Sequence, residues 1–376
     1  TPDPDMAAPE KIATTEDARR LARRRLPWMV FDYIDGAAGS GAADARNRAR
    51  LSEILLQPRV LKNVETRDLS GSVFGKTTGL PFGIAPMGMC NLSAPGADLM
   101  LARLAARHRI PLGVSTAAST DLETIFAAAE GHAWFQLYFG GQEEISKQLL
   151  QRAEDCGYEV LVFTVDVPVV GRRPRENRRG FTMPFRIGPS QFIDFALHPR
   201  WSLSTLAAGA PDLANFKAPG MVFDRSASRA RADWSFLARM RDQWKGRMVV
   251  KGITSPEDAV MARDAGIDAV QVSNHGGRQL ESAPAAIDAL MAVRAAVGPD
   301  YPLLFDSGIR CGEDIVRAYV AGADFVMVGR ALLYAMAADG ERGLGKLSGI
   351  LAEEVSIALA QLGATSIPQL DRSMML

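Results

Sequence analysis

From about residue 81 onward, short apolar runs rich in β-branched and aromatic residues alternate with segments of helical spacing, and nothing else in the chain constrains its fold as strongly. The predicted strands are Phe82–Pro86, Pro111–Ser115, Trp134–Tyr138, Val160–Asp166, Met248–Lys251, Ala269–Ser273, Pro302–Asp306 and Phe325–Gly329. Helical patterns lie between them, at Gln142–Asp155, Pro256–Ala265, Ala285–Val297 and Gly312–Ala321. Strands that are apolar throughout are buried on both faces, the mark of a parallel sheet covered by helices. Eight such units close most naturally into a (β/α)8 TIM barrel, an α/β fold. A doubly wound sheet is the alternative, and no GxGxxG turn follows an early strand to support it. The chain then reads as one domain over 1–376. It has an N-terminal helical lead over 1–80, a barrel over 81–340, and a C-terminal helix and tail over 341–376.

One gap breaks the rhythm. About 80 residues separate the fourth and fifth strands, far more than an ordinary connection. This excursion, 168–233, opens Gly171-Arg172-Arg173-Pro174-Arg175, passes Phe181-Thr182-Met183-Pro184-Phe185 and ends beyond a Pro/Gly-rich patch over 211–219. Helical spacing resumes at Trp234–Trp244. Phe192, Ile193, Phe195, Leu197, Trp201, Leu203 and Leu206, with Arg186 and Arg200 nearby, suit a segment lying in a membrane interface without spanning it. A lid or an oligomer contact explains them as well.

Composition excludes several classes. Lys plus Arg and Asp plus Glu are both 43, so no global field recruits nucleic acid. Cys90, Cys156 and Cys311 are too few and too scattered for a disulfide framework or a metal site, so no metal is expected and a reducing interior fits. The acidic start has no signal-peptide pattern, and no run of ~18 apolar residues predicts a spanning helix. The first dozen residues read as a disordered lead.

Barrels of this kind carry chemistry at the C-terminal ends of their strands, and here nearly every end is polar. They read Gln136-Leu137-Tyr138, Thr164-Val165-Asp166, Lys251-Gly252, Ser273-Asn274-His275-Gly276-Gly277-Arg278, Asp306-Ser307-Gly308-Ile309-Arg310 and Gly329-Arg330. Turn chemistry explains any one of these, but polar groups are costly to bury without purpose at all of them. Strands seven and eight supply small residues for close backbone approach and two guanidiniums, which suits a phosphate-bearing ligand; a helix starting near Arg330 adds N–H groups. Lys251 ends an apolar strand, either as a Schiff-base amine or as a fixed charge beside a cofactor that becomes anionic. Gln136, Thr164 and Ser115 have the donors and acceptors to meet the edge of a flat heterocycle. His275, with two glycines after it and Arg278 three residues on, pairs a base with a carboxylate-gripping cation, and Asp166 is a suitable partner for its ring.

Ser273-Asn274-His275-Gly276-Gly277-Arg278-Gln279-Leu280 resembles the signature of the FMN-dependent 2-hydroxy-acid dehydrogenases and oxidases. The resemblance runs through most of the chain. It includes Leu26-Pro27-Trp28-Met29-Val30-Phe31-Asp32-Tyr33, Ile84-Ala85-Pro86, Trp134-Phe135-Gln136-Leu137-Tyr138, Thr164-Val165-Asp166-Val167-Pro168, Val250-Lys251-Gly252 and Val328-Gly329-Arg330. It implies FMN as cofactor and a small (S)-2-hydroxy acid as substrate. Under it His275 is the base, Asp166 its partner, and Tyr138 lies near the hydroxyl. Arg278, Arg173 and Tyr33 hold the substrate carboxylate. FMN meets Pro86, Met87, Gly88, Ser115, Gln136, Thr164, Lys251 and Ser273, and its phosphate meets Asp306, Ser307, Gly308, Arg310, Gly329 and Arg330. Residue physics alone reads Tyr33 as a packed aromatic.

Ala117 stands where glycolate oxidase carries tryptophan, and Gly88 where the oxidases usually carry alanine. Leu197-His198-Pro199-Arg200-Trp201-Ser202-Leu203 resembles the insert of the membrane-bound mandelate and lactate dehydrogenases. The resemblance therefore leans to that branch, with electrons passing to a quinone or another carrier, a homotetrameric assembly and a peripheral position on the cytoplasmic side of the inner membrane. The alternatives are an oxygen-reducing oxidase, a Lys251 Schiff-base aldolase and a non-catalytic FMN binder. Whether His275 takes its proton from oxygen or from carbon stays open.

Overall fold

The computed structural model describes residues 12–182, 185–217 and 229–376. Within them a closed parallel barrel runs β1 (Phe82–Met87), β2 (Leu112–Ser115), β3 (Ala133–Leu137), β4 (Val160–Thr164), β5 (Arg247–Ile253), β6 (Ala269–Val272), β7 (Leu303–Phe305) and β8 (Phe325–Val328). Each strand pairs with its sequence neighbour, and β8 closes on β1 through Val326 opposite Phe82. All eight predicted strands are present. The C-terminal edges of β3, β4, β6, β7 and β8 come sooner than periodicity suggests, so Tyr138, Asp166, Ser273, Asp306 and Gly329 lie just past the ladder, while β1 and β5 run on to Met87 and Ile253. That places polar side chains on the rim rather than in the barrel.

Alternation along each strand sorts side chains between two cores. In β4, Val160 and Val162 join Ala85, Trp134, Val249, Leu304, Phe325 and Met327 inside the barrel, while Leu161 and Phe163 face the helices. Burying a side chain of this size contributes roughly 1.5–3 kcal/mol, so both faces stabilise the fold. A hairpin, Gly71–Val73 paired with Lys76–Thr78, brings Val73 and Phe74 against the inner core, with the Phe74 ring 5.5 Å from Trp134. The N-terminal mouth is thereby plugged.

Three helices precede the barrel: α1 (Thr15–Arg25), α2 (Trp28–Asp35) and α3 (Ala42–Glu53). Thr14 caps α1 by accepting from Asp17 N, and buried Asp35 at the end of α2 accepts from Arg19, Arg175 and Tyr334. These bonds fasten the lead segment to the barrel and to the excursion.

The excursion is folded in its described parts. Pro189–Leu197 and Pro199–Ala208 are helices, each with proline in its first turn, where the missing N–H costs nothing. The Asp194 carboxylate accepts from Trp28 N at 2.9 Å and Met29 N at 3.1 Å, so the excursion caps α2. Two expectations for its apolar residues need correction. Trp201 is buried at 7% exposure, its indole N–H donating to Leu92 O at 2.8 Å. Phe195 is half-buried and packs on the core. Phe192, Ile193, Leu197, Leu203 and Leu206 are exposed. The first eleven residues, Met183 and Pro184, and the Pro219 end of the Pro/Gly patch lie outside the described residues. Among the described residues no helix is long and apolar enough to cross a membrane.

After β8 the chain enters the helix Arg330–Leu362, which leaves helical geometry at Asp339 and Gly340, the latter at φ 60. Its first turn stands at the barrel rim, and the helix packs on α1, with Arg25 donating to Ala338 O at the kink.

Candidate active site

A cavity of about 810 Å³ opens at the C-terminal rim, within the range of small-molecule sites. His275 lines it, in a tight turn whose backbone is left-handed at His275 (φ 58) and Gly276 (φ 63). A non-glycine residue there is costly, and the surroundings hold it. His275 N donates to Ser273 Oγ at 3.0 Å, and Asn274 caps the turn by accepting from Gly277 N. Gly276 N donates to Ser307 Oγ at 3.0 Å.

The imidazole is gripped on one side and open on the other. Nδ1 lies 3.0 Å from Asp166 Oδ1, and Nε2 lies 3.3 Å from the Tyr138 hydroxyl. Burial lowers the His275 pKa; Asp166 pulls it back up, and Lys251 and Arg173 push it down again. The ring is thus a neutral base at pH 7 that a carboxylate stands ready to steady once protonated. Burial, then Asp166, push the Tyr138 phenol well above its usual range, so it stays protonated.

Two guanidiniums face this base. Arg278 donates to Tyr33 O at 2.9 Å, Gly36 O at 2.6 Å and Glu176 Oε1 at 2.9 Å, and its guanidinium lies 5.4 Å from the Tyr33 ring. Burial and then Arg173 bring its pKa down to about 10, so it remains charged at neutral pH. Arg173 donates to Arg278 O and approaches Glu176 at 3.4 Å. Tyr33 stacks on Phe181 at 4.5 Å while its hydroxyl lies 3.4 Å from Gly88 O, so it is both a packed aromatic and part of the cavity wall.

The opposite end is a second cationic centre. Gly308, Arg310, Gly329 and Arg330 line the cavity, and the helix beginning at Arg330 starts there. Between the two ends Lys251 is buried, its ammonium 2.8 Å from Ser273 Oγ and 3.0 Å from Asp306 Oδ2. Burial alone would raise the Asp306 pKa, but Lys251 and the Ser273 and Ser307 hydroxyls hold it low. A lysine held in an ion pair is a poor Schiff-base nucleophile, which weakens the aldolase alternative. Pro86, Met87, Gly88 and Ser115 form the wall from β1 and β2.

Gln136, next to Ser115 in the ladder, and Thr164, next to Lys251, are buried, and the Gln136 amide atoms and Thr164 Oγ1 have no hydrogen-bond partner in the protein. Buried polar atoms left in this way mark a place where a ligand completes the bonding. Ser273, by contrast, spends its hydroxyl on Lys251, Asp306 and His275 N. Residues that sequence reading passed over also converge. Glu176 lies between the two arginines, and Gln271 donates to Asp306 at 2.5 Å. Arg229, at the end of the excursion, lines the cavity with its guanidinium 5.7 Å from the Tyr138 ring. None stands in a motif, so only the fold could reveal them.

Comparison with known proteins agrees with this geometry. The L-lactate dehydrogenase of Allorhizobium ampelinum is 39% identical over 374 residues, covering 96% of this chain and 97% of the relative. That of Pseudomonas syringae pv. syringae is 37% identical over 379 residues, covering 97% and 98%. The crystal structure of the monotopic membrane protein (S)-mandelate dehydrogenase superposes with a TM-score of 0.93 at 36% identity, covering 98% of this chain and all of that one. A mandelate oxidase structure gives 0.80 at 36% identity, covering 94% and 96%. The match of residues 22–376 to one family agrees with the cavity, its base and its two cationic ends: the chain belongs to the FMN-dependent dehydrogenases.

Proposed function

We propose that this FMN-dependent 2-hydroxy-acid dehydrogenase oxidises an (S)-2-hydroxy acid of the mandelate or L-lactate class to the 2-oxo acid. His275 is the base and Asp166 its partner. The observation that carries this reading is the His275 imidazole, with Nδ1 on Asp166 and Nε2 beside Tyr138, in one cavity with Arg278 and Arg173.

The residues fit FMN. Gln136, Thr164 and the second terminal nitrogen of Arg330 are buried polar groups with unmet bonds, spread between the heterocycle wall and the phosphate end. Pro86, Met87, Gly88, Ser115, Gln136, Thr164, Lys251 and Ser273 would hold the ring system. Asp306, Ser307, Gly308, Arg310, Gly329 and Arg330 would hold the phosphate end. Bound FMN supplies the two-electron acceptor that no side chain can provide.

The protein supplies the rest. Arg278, Arg173 and Tyr33 bind the substrate carboxylate, bidentate cations giving orientation as well as affinity. Tyr138 donates toward the hydroxyl. His275 accepts the proton released as the C–O bond gains double-bond character, and Asp166 stabilises the imidazolium that forms. Lys251 is a preformed positive charge in a dry site, ready to offset negative charge on the reduced cofactor.

The relatives support the mandelate and lactate classes, as does the small Ala117 side chain on the cavity wall. The same resemblance supports a homotetramer, with electrons passing to a quinone or another carrier. The exposed Phe192, Ile193, Leu197, Leu203 and Leu206 support peripheral contact with a membrane, on the cytoplasmic side of the inner membrane under this reading. The decisive experiment is anaerobic mixing of the yellow protein with (S)-mandelate, L-lactate and glycolate, then reoxidation by a quinone analogue or by oxygen. Rapid bleaching by mandelate or lactate and faster reoxidation by quinone are expected. A yellow protein that none of them bleaches overturns the reading, and one reoxidised faster by oxygen is an oxidase.

A further inference from the structure

Asp44 and Asn47 lie three residues apart in α3, outside the barrel, and both reach into the rim. Asp44 Oδ1 accepts from Arg330 Nη2 at 2.6 Å and lies 3.5 Å from Arg310 Nη2. The same Arg330 nitrogen donates to Gly276 O at 2.5 Å. A guanidinium terminal nitrogen carries two N–H groups, so Nη2 is fully used and its plane is set. Its twin, Nη1, is buried and has no partner in the protein. Asn47 exchanges two amide hydrogen bonds of 2.8 Å with Asn274, which caps the His275 turn. The approach is close: a Cβ on Gly277 would lie 2.4 Å from Asp44 N, and that glycine sits at φ 75.

We propose that Asp44 is a positioning residue for the cofactor phosphate. With the Gly276 carbonyl it fixes Arg330 so that Nη1 is left for the phosphate, and this shared contact ties phosphate binding to the turn that carries His275. The inference rests on the reading that FMN fills the cavity. Burial would raise the Asp44 pKa, but Arg330, Arg310 and Arg48 outweigh it, so the carboxylate is charged and orients a cation at neutral pH. An arginine already held in its binding geometry loses less freedom on meeting its ligand.

FMN and riboflavin differ by the phosphate, so they separate this role from general damage. Full-length protein freed of flavin would be titrated with each, following quenching of flavin fluorescence, for the wild type, Asp44→Ala and Asp44→Asn. Asp44→Ala should weaken FMN about tenfold, the order expected for losing one charge-assisted bond, and leave riboflavin unchanged. Asp44→Asn keeps a neutral acceptor and should lose less. Equal weakening of both flavins, or FMN binding that is unchanged or tighter in Asp44→Ala, overturns the proposal. Amide exchange reads the coupling: FMN should protect the 275–277 turn more than riboflavin does, and Asp44→Ala should erase the difference. Equal protection by the two flavins in the wild type overturns the coupling. A wild type that binds neither flavin would instead overturn the FMN reading itself, a result distinct from any Asp44 effect.

Discussion

Asp166 Oδ1 lies 3.0 Å from His275 Nδ1, and the other ring nitrogen is 3.3 Å from the Tyr138 hydroxyl. One face of the imidazole is thereby committed to a carboxylate and the other to the cavity. Because burial lowers the His275 pKa below the ordinary 6.5, the base stays neutral through the physiological range and is lost only as pH falls through its own lowered value. The acid limb of kcat/KM should therefore have its midpoint below pH 6.5. Asp166→Asn removes the group that raises this pKa, so the limb should move further down while kcat falls by roughly 10²-fold or more. A limb that moves upward would contradict the assignment. His275→Gln should keep the protein yellow and nearly abolish anaerobic bleaching, read by stopped-flow absorbance.

The Asp166–His275 pair needs a glycine across from it. Gly252 sits at φ 106, and a Cβ there would lie 2.6 Å from the Asp166 Cβ and carboxyl carbon. Gly252→Ala should displace Asp166, mimic the kcat loss of Asp166→Asn and destabilise the fold by about 1–3 kcal/mol, from backbone strain. A thermal melt alongside the pH profile checks both parts.

Ala117 and Gly88 face each other on the cavity wall, a Cβ on Gly88 falling 3.2 Å from the Ala117 methyl. Ala117→Trp should fill this corner. Under the proposed substrate class, kcat/KM for mandelate should fall on the order of 10²-fold and that for glycolate far less, since added bulk rejects large side chains by steric clash. Equal losses on both acids would show that Ala117 does not bound the side-chain pocket.

The apolar face of the excursion predicts a separable property. Replacing Phe192, Leu203 and Leu206 together by serine should lower sedimentation with anionic liposomes without changing turnover of a soluble hydroxy acid, because all three are exposed. Trp201→Ala should act differently. That indole is buried and bonded to Leu92 O, so its loss should destabilise the fold by roughly 3–5 kcal/mol. Unchanged liposome binding in the triple variant would favour a lid or an oligomer contact.

Much of this was legible in the chain itself. Continuous apolar runs such as Leu303–Phe305 and Phe325–Val328 can be satisfied only by burial on both faces, so their number and spacing implied the barrel before any contact was known. The turn holding His275 and Arg278 was equally readable, because base, glycines and cation are neighbours in sequence. The excursion was less so: apolar character put Trp201 and Leu203 in one group, yet one is buried and the other exposed, since apolar character does not say what a segment packs against. What only the tertiary structure decided are the groups that meet from distant segments. Glu176 joins Arg278 across 102 residues, Asn47 joins Asn274 across 227, and Asp44 joins Arg330 across 286. Local physics fixes which residues can be buried or turned. Which charges come to share one low-dielectric rim depends on closing the barrel and laying α3 across it, and no window of sequence contains that event.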